Sequence, residues 1–275
     1  MNSDIPTSVI LFAFGLTLFA GLSTGIGAAV AFFAKKTNTK LLSTSLGFSA
    51  GVMIYVSMIE IFPKAKVSLV AELGEKMGYT ATVMAFFGGI LLSALIDKLV
   101  PSGENPHEQV SLAELSDVQN AVRKKQALYR MGIFSALAIG IHNFPEGLAT
   151  FFSAIEDPAL GISVAIAVAI HNIPEGIAVS IPVYYSTENR KKAFFLSFLS
   201  GLAEPVGAVI GFFFLLPFFN GLTFGITFGI VAGIMVFISI DELLPTAEQY
   251  GEHHLSIYGL IAGMAVMAIS LLLFA

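Results

Sequence analysis

The sequence predicts an all-α integral membrane protein of eight transmembrane helices, and three observations carry that expectation. The chain is 56% hydrophobic and only 12% charged, with a mean hydropathy of +0.83, far from the balance of a soluble domain. Its apolar residues gather into eight runs, each near the ~20 residues needed to cross a bilayer. Lysine and arginine concentrate in alternate loops, the charge sorting that fixes membrane topology.

The first run, Ser8–Phe33, follows an opening without positive charge, so it reads as a retained helix and not a cleaved signal. Spans two and three are expected at Leu41–Phe62 and Thr80–Leu99. The longest connection, Pro101 to Gln126, is polar and ends in Arg123, Lys124 and Lys125; partial disorder is expected there. Spans four to eight are placed at Ala127–Ser153, Gly161–Tyr185, Ala193–Pro217, Leu222–Leu244 and Leu255–Phe274. Most connections are short, which makes consecutive spans antiparallel neighbours in a single domain, 1–275.

Odd-numbered loops hold Lys35, Lys36, Lys40, Lys98, Arg123, Lys124, Lys125, Arg130, Arg190, Lys191 and Lys192; even-numbered loops hold only Lys64, Lys66 and Lys76. The odd loops are therefore expected in the cytoplasm and both termini outside. Gly221, Gly225, Gly229 and Gly233 recur every four residues, as do Gly207 with Gly211 and Gly259 with Gly263. That spacing marks close helix contacts and says nothing of substrate.

Composition also excludes chemistry. There is no cysteine, so disulfides, thiolate zinc sites and iron–sulfur clusters are out of reach. The net charge of −5 comes without a basic patch, so no nucleic-acid partner is expected.

One string appears twice inside these apolar runs: HNFPEG, His142 to Gly147, and HNIPEG, His171 to Gly176, with the histidines 29 positions apart. On a helix, His142 and Glu146 share a face, as do His171 and Glu175; Asn143 and Asn172 lie about 100° round. Pro145 and Pro174 cannot donate a hydrogen bond, so each helix is expected to kink and free a backbone carbonyl near Ile141 and Ile170. Imidazole, amide, carboxylate and carbonyl together form a divalent-metal ligand set.

A third carboxylate, Glu204, falls mid-span in GLAEPVGA, directly before a proline that should distort its helix. Ionised, each buried carboxylate costs at least ~2.5 kcal/mol. Every basic residue sits in a loop or at a helix end, so protons, water or a bound cation must neutralise the cluster. A protonated, hydrogen-bonded helix glue is the bland alternative. Two His-Asn-x-x-Glu sets beside a third Glu favour the cation.

Met53 lies mid-span two, where a lone methionine is more often core filler than ligand. Glu60 is near that span's outer end, and Asp241 with Glu242 near the inner end of span seven; each is open to reading as a solvated charge. His253 and His254 read as a solvated pair, His107 carries no case, and Asp97 with Lys98 reads as an interfacial pair.

Paired HNxPEG motifs on consecutive spans four and five of an eight-span chain resemble the ZIP family of divalent-metal transporters. The resemblance covers essentially the whole chain. It implies a midplane site of His142, Glu146, His171 and Glu175, bordered by Met53. It implies a neighbouring second site of Asn143, Asn172 and Glu204 alongside Glu146 and Glu175. Glu60 matches a position at the outer entrance, and Asp241 with Glu242 a polar pair at the inner exit. Some relatives are acidic where this chain has Asn172, so its second site carries one charge fewer. With only His107 in the long loop, a histidine-rich sensing loop is not expected.

The resemblance further implies a 3+2+3 bundle, with spans one to three and six to eight as inverted repeats around four and five, a design suited to alternating access. The repeat comes from the resemblance alone. So does the direction of transport, into the cytoplasm across a bacterial inner membrane. The nitrogen and oxygen ligands suit Zn²⁺ and accept Fe²⁺, Mn²⁺, Co²⁺ or Cd²⁺ as transported substrate; no prosthetic group is expected. Partners are these ions and the lipid bilayer, with a homodimer compatible. Histidine ligands compete with protons, so acid is expected to weaken transport. The rival readings are an intramembrane metal-dependent hydrolase, which would need a glutamate base and here lacks HExxH, and a metal sensor without flux.

Overall fold

A computed structural model describes residues 5–33, 39–99, 118–250 and 253–274, and all the regular structure among them is helical. In order these are α1 (Thr7–Phe33), α2 (Thr39–Val56), a π turn (Ser57–Ile61), α3 (Phe62–Leu73), α4 (Glu75–Leu99), α5 (Val118–Glu156) and α6 (Pro158–Thr187). Then follow α7 (Arg190–Gly201), α8 (Ala203–Ile210), a π turn (Gly211–Leu215), a 3₁₀ turn (Leu216–Phe218), α9 (Gly221–Ile238), a π turn (Ser239–Leu243), α10 (Leu244–Tyr250) and α11 (His253–Phe274).

Seven stretches among the described residues are long and apolar enough to cross a membrane: Thr7–Ala29, Ser43–Leu73, Glu75–Lys98, Pro158–Thr187, Arg190–Phe218, Gly221–Glu248 and His254–Leu273. The other expected span lies within α5, a continuous helix of 39 residues several of whose side chains lie outside the described residues. Exposure runs opposite to that of a soluble protein. Met84, Phe87, Leu91, Phe213 and Leu272 face outward at 60% exposure or more, while Asn143, Glu146, His171, Asn172, Glu175 and Glu204 are fully buried. Such a molecule is built for an apolar solvent.

Several boundaries move from where polarity placed them. Span two does not stop at Phe62, because the π turn and α3 carry the helix on to Leu73, past Lys64 and Lys66. Span seven likewise runs beyond Leu244 to the end of α10. In both cases a proline (Pro63, Pro245) follows the π turn; its missing N–H removes one bond of the ladder, and the wider turn absorbs the change. Val118–Gln126, expected as loop, forms the first turns of α5; the remainder of that connection lies outside the described residues. Pro145 and Pro174 leave α5 and α6 uninterrupted. The distortion expected at Glu204 is present, since α7 ends at Gly201 and α8 begins at Ala203.

Short caps turn the chain. Gly74 alone links α3 to α4, with φ +80°, a backbone that only glycine adopts freely. Asp157, Asn189 and Asn220 cap α6, α7 and α9, each accepting from backbone N–H groups of the first turn.

The glycines pack helices as their spacing predicts. A Cβ on Gly147 would intrude on the Glu204 carbonyl, and one on Gly207 on the Phe144 carbonyl, so α5 and α8 touch backbone to backbone. Gly27 and Gly176 do the same between α1 and α6, against Ile173 and Thr24. Gly47, Gly51, Gly259 and Gly263 join α2 to α11; Gly89 and Gly233 join α4 to α9.

These contacts expose a repeat. Gly51, Met53, Ser57, Glu60, Pro63 and Ala65 recur as Gly233, Met235, Ser239, Glu242, Pro245 and Ala247, each 182 positions further on. Gly21, Leu22, Gly27 and Ala28 recur 180 positions on as Gly201, Leu202, Gly207 and Ala208. The three-dimensional contacts follow the same pairing: Ser57 and Ser239 each donate back to the carbonyl of the matched methionine, at 2.6 and 2.7 Å. Two halves of the chain therefore fold alike.

Candidate metal centre

The two motifs meet where α5 and α6 pack side by side. His171 Nε2 lies 3.1 Å from Glu146 Oε2, with both side chains fully buried. One turn beyond His171, Glu175 accepts a hydrogen bond from Ser49 of α2 at 3.3 Å; the same hydroxyl is 3.4 Å from the His171 carbonyl oxygen. Ser49 thus ties α2 to the motif helix.

The asparagines are used in matching ways. Asn143 Nδ2 donates to the Ser200 carbonyl at 3.2 Å, and Asn172 Nδ2 to the Ala20 carbonyl at 2.9 Å. Ser200 and Ala20 are themselves 180 positions apart, so each motif grips the same point of its half-molecule. Asn172 Nδ2 also donates to Glu204 Oε1, which brings the third carboxylate beside the second motif. At the position matching Glu204, α1 carries Thr24, whose hydroxyl is buried and makes no hydrogen bond among the described residues.

With the amide nitrogens committed, the oxygens are left over. Asn143 Oδ1, Glu146 Oε1, Asn172 Oδ1 and Glu204 Oε2 are all buried without a hydrogen-bond partner among the described residues. Four orphaned acceptors around one cluster would be costly if nothing satisfied them. A cation satisfies acceptors and nothing else, so the donor set fits a divalent metal ion.

The structure joins Glu146 to His171 and Asn172 to Glu204, and sets Glu175 one turn away. His142 lies in α5, but its side chain is outside the described residues. Among the described residues no three His, Asp or Glu side chains already form a ligating group. Met53 is fully buried in α2, four residues and therefore one turn from Ser49 on the same face. Glu60 sits in the first π turn, 3.9 Å from Lys64, and Asp241 and Glu242 sit half-buried in the third. His254 is exposed and stacks on Tyr258, whereas His107 and the His253 side chain lie outside the described residues.

Sequence reasoning missed Ser49, a residue too common in membrane helices to stand out. It also missed the correspondence of Glu60 with Glu242, which the 182-residue repeat would have disclosed.

A helical, lipid-facing molecule with buried imidazole, amide and carboxylate at its centre is a carrier of small cations in its general class. The ZIP Zinc transporter family matches residues 97–271, and the chain belongs to it. It is 66% identical over 265 residues to the Zinc transporter ZupT of Chlorobaculum parvum, covering 96% of this chain and 98% of that protein. It is 65% identical over 268 residues to the protein of the same name from Chlorobium chlorochromatii (98% and 99% covered). To that of Clostridium perfringens it is 61% identical over 275 residues (96% of each).

Proposed function

We propose that this chain carries divalent metal ions, Zn²⁺ foremost, across the bacterial inner membrane into the cytoplasm. The observation that carries this reading is the pairing of Glu146 with His171 beside four buried acceptor oxygens that make no hydrogen bond. The relatives' shared name supplies zinc as the first metal to try. Fe²⁺, Mn²⁺, Co²⁺ and Cd²⁺ follow from the nitrogen and oxygen donors, which rank such ions without excluding them.

In this reading a hydrated ion arrives past Glu60 and exchanges water for His142, Glu146, His171 and Glu175, with Met53 at the border. Asn143, Asn172 and Glu204 hold a second ion beside it. Release is past Asp241 and Glu242. The eighth span is α5, the single domain runs 1–275, and both termini lie outside. Spans two and seven then cross in opposite directions, so the 182-residue repeat is inverted. This supports the 3+2+3 arrangement and alternating access through two like halves. A homodimer is compatible with the outward apolar faces.

Zinc influx into proteoliposomes tests the proposal. Wild-type protein is expected to admit Zn²⁺ well above empty vesicles, and Glu175→Ala to lose at least ~10-fold in rate, because a ligand in low dielectric is removed. A wild type that binds zinc without influx would favour the sensor reading.

A further inference from the structure

A threonine inside a helix ordinarily returns its hydroxyl to the carbonyl four residues back. Thr17, Thr44, Thr80 and Thr82 do so, at 2.8 to 2.9 Å. Thr24 does not: it is fully buried in α1, and its Oγ1 has no partner among the described residues. Its ordinary acceptor, the Ala20 carbonyl, is already taken. Ser23 Oγ donates to that oxygen at 2.6 Å and Asn172 Nδ2 at 2.9 Å, and a carbonyl has two lone pairs. The motif asparagine thus occupies the place that the Thr24 hydroxyl would use.

The repeat says where the displaced hydroxyl belongs. Ala20 and Thr24 match Ser200 and Glu204, each 180 positions on, and Asn172 matches Asn143 in the other motif. Asn172 grips the Ala20 carbonyl and donates to Glu204; Asn143 grips the Ser200 carbonyl at 3.2 Å. The same relation brings Thr24 to Asn143, and a packing contact agrees. A Cβ on Gly201, the residue after Ser200, would come within 2.6 Å of Thr24 Oγ1. Asn143 Oδ1 is likewise buried without a hydrogen-bond partner among the described residues. Thr150 is also unpartnered, but its match in the second motif helix is Val179, so no like residue marks it as a ligand position.

We propose that Thr24 is a further cation ligand: with Asn143 it forms an uncharged station, the counterpart of Asn172 and Glu204, that receives the ion before release. This role deepens the transport reading above and rests on it. In the orientation proposed there, α5 runs outward and Asn143 precedes Glu146, while α1 runs inward and Thr24 follows Ala20. The Thr24 station therefore lies on the cytoplasmic side of Glu204. Hydroxyl and amide oxygens hold a divalent ion more weakly than carboxylates do. Conduction needs binding strong enough for entry and weak enough for exit, and one half with a glutamate beside one with a threonine supplies that difference.

The test compares Thr24→Val, which keeps the shape and loses the hydroxyl, with Thr24→Ser, which keeps the hydroxyl, and Thr24→Asp, which adds a charge. Three quantities are read on the full chain: Tm in chelator, the Kd for Zn²⁺ in detergent, and maximal Zn²⁺ influx in proteoliposomes. Thr24→Val is expected to melt in chelator at or above wild type, because an unpaired buried hydroxyl is replaced by a methyl group. Its maximal influx should nevertheless fall about 3- to 10-fold, with Thr24→Ser within about 2-fold of wild type. Thr24→Asp should lower the Kd at least ~10-fold, since charge on a ligand deepens binding, and should slow influx by holding the ion. A Tm below wild type in Thr24→Val would make the hydroxyl a structural donor and overturn the proposal. Wild-type influx in Thr24→Val, equal losses in Thr24→Val and Thr24→Ser, or an unchanged Kd in folded Thr24→Asp would overturn it too, with transport left standing. A wild type that binds zinc without influx would instead remove the transport reading, and the release role of Thr24 with it.

Discussion

At Asn172 the amide nitrogen donates to the Ala20 carbonyl and to Glu204, so the side chain is both a clamp on α1 and a neutral neighbour for a buried carboxylate. Asn172→Asp removes both donations and sets a second carboxylate against Glu204. Without metal, stability is expected to fall by about 1–3 kcal/mol, the cost of leaving buried groups unsatisfied. With Zn²⁺ the added charge should deepen binding, so the zinc-induced rise in Tm should exceed that of wild type. Melting of detergent-purified protein in chelator and in zinc checks both; equal Tm in chelator would show that the amide is not a clamp. The motif residues themselves were legible in the sequence because a histidine or glutamate in an apolar run carries a large desolvation cost. Ser49 was not legible, because a serine hydroxyl satisfies itself on its own helix and costs little anywhere.

At the scale of elements, adjacent glycines of α4 separate packing from propensity. Gly88 is exposed and a Cβ there meets nothing within 4 Å, whereas a Cβ on Gly89 would run into the Ile230 carbonyl of α9. Gly88→Ala is expected to be neutral or to stabilise by up to ~1 kcal/mol. Gly89→Ala should cost about 1–3 kcal/mol through overpacking of α4 on α9. Thermal unfolding of the two variants in one detergent reads the difference; similar Tm values would mean that the helices separate easily at that seam. Glycine spacing told where helices touch, but it did not tell which helix each stripe meets. The ends of spans two and seven were misplaced for a related reason. Lysines 64 and 66 and a proline read as a boundary, while the chain uses a π turn to carry the helix through.

For the whole molecule, the loops sort charge and the two halves repeat. The repeat stayed hidden because only a handful of positions persist, those that set backbone contacts and the π turns, while the apolar residues between them vary freely. In three dimensions Gly21 and Gly201, Gly147 and Gly176, and Ser57 and Ser239 make matching contacts. The absence of cysteine makes topology easy to read, since no native thiol needs removal. In whole cells, Glu75→Cys and Asn220→Cys are expected to react with an impermeant maleimide from outside, and Lys191→Cys only after permeabilisation. Labelling of Lys191→Cys in intact cells would reverse the orientation proposed here and, with it, the roles of the outer and inner mouths.

Transport as proposed requires that the paired motifs hold the metal. Zinc K-edge absorption of the purified protein, loaded with Zn²⁺ and freed of excess, addresses this directly. With no cysteine present, nitrogen and oxygen should dominate the nearest ligands, near 2.0–2.2 Å. Imidazole scattering should be clear in wild type and absent from His142→Ala/His171→Ala. A double variant whose zinc keeps its imidazole signature would place the metal on the remaining histidines and contradict the site described here.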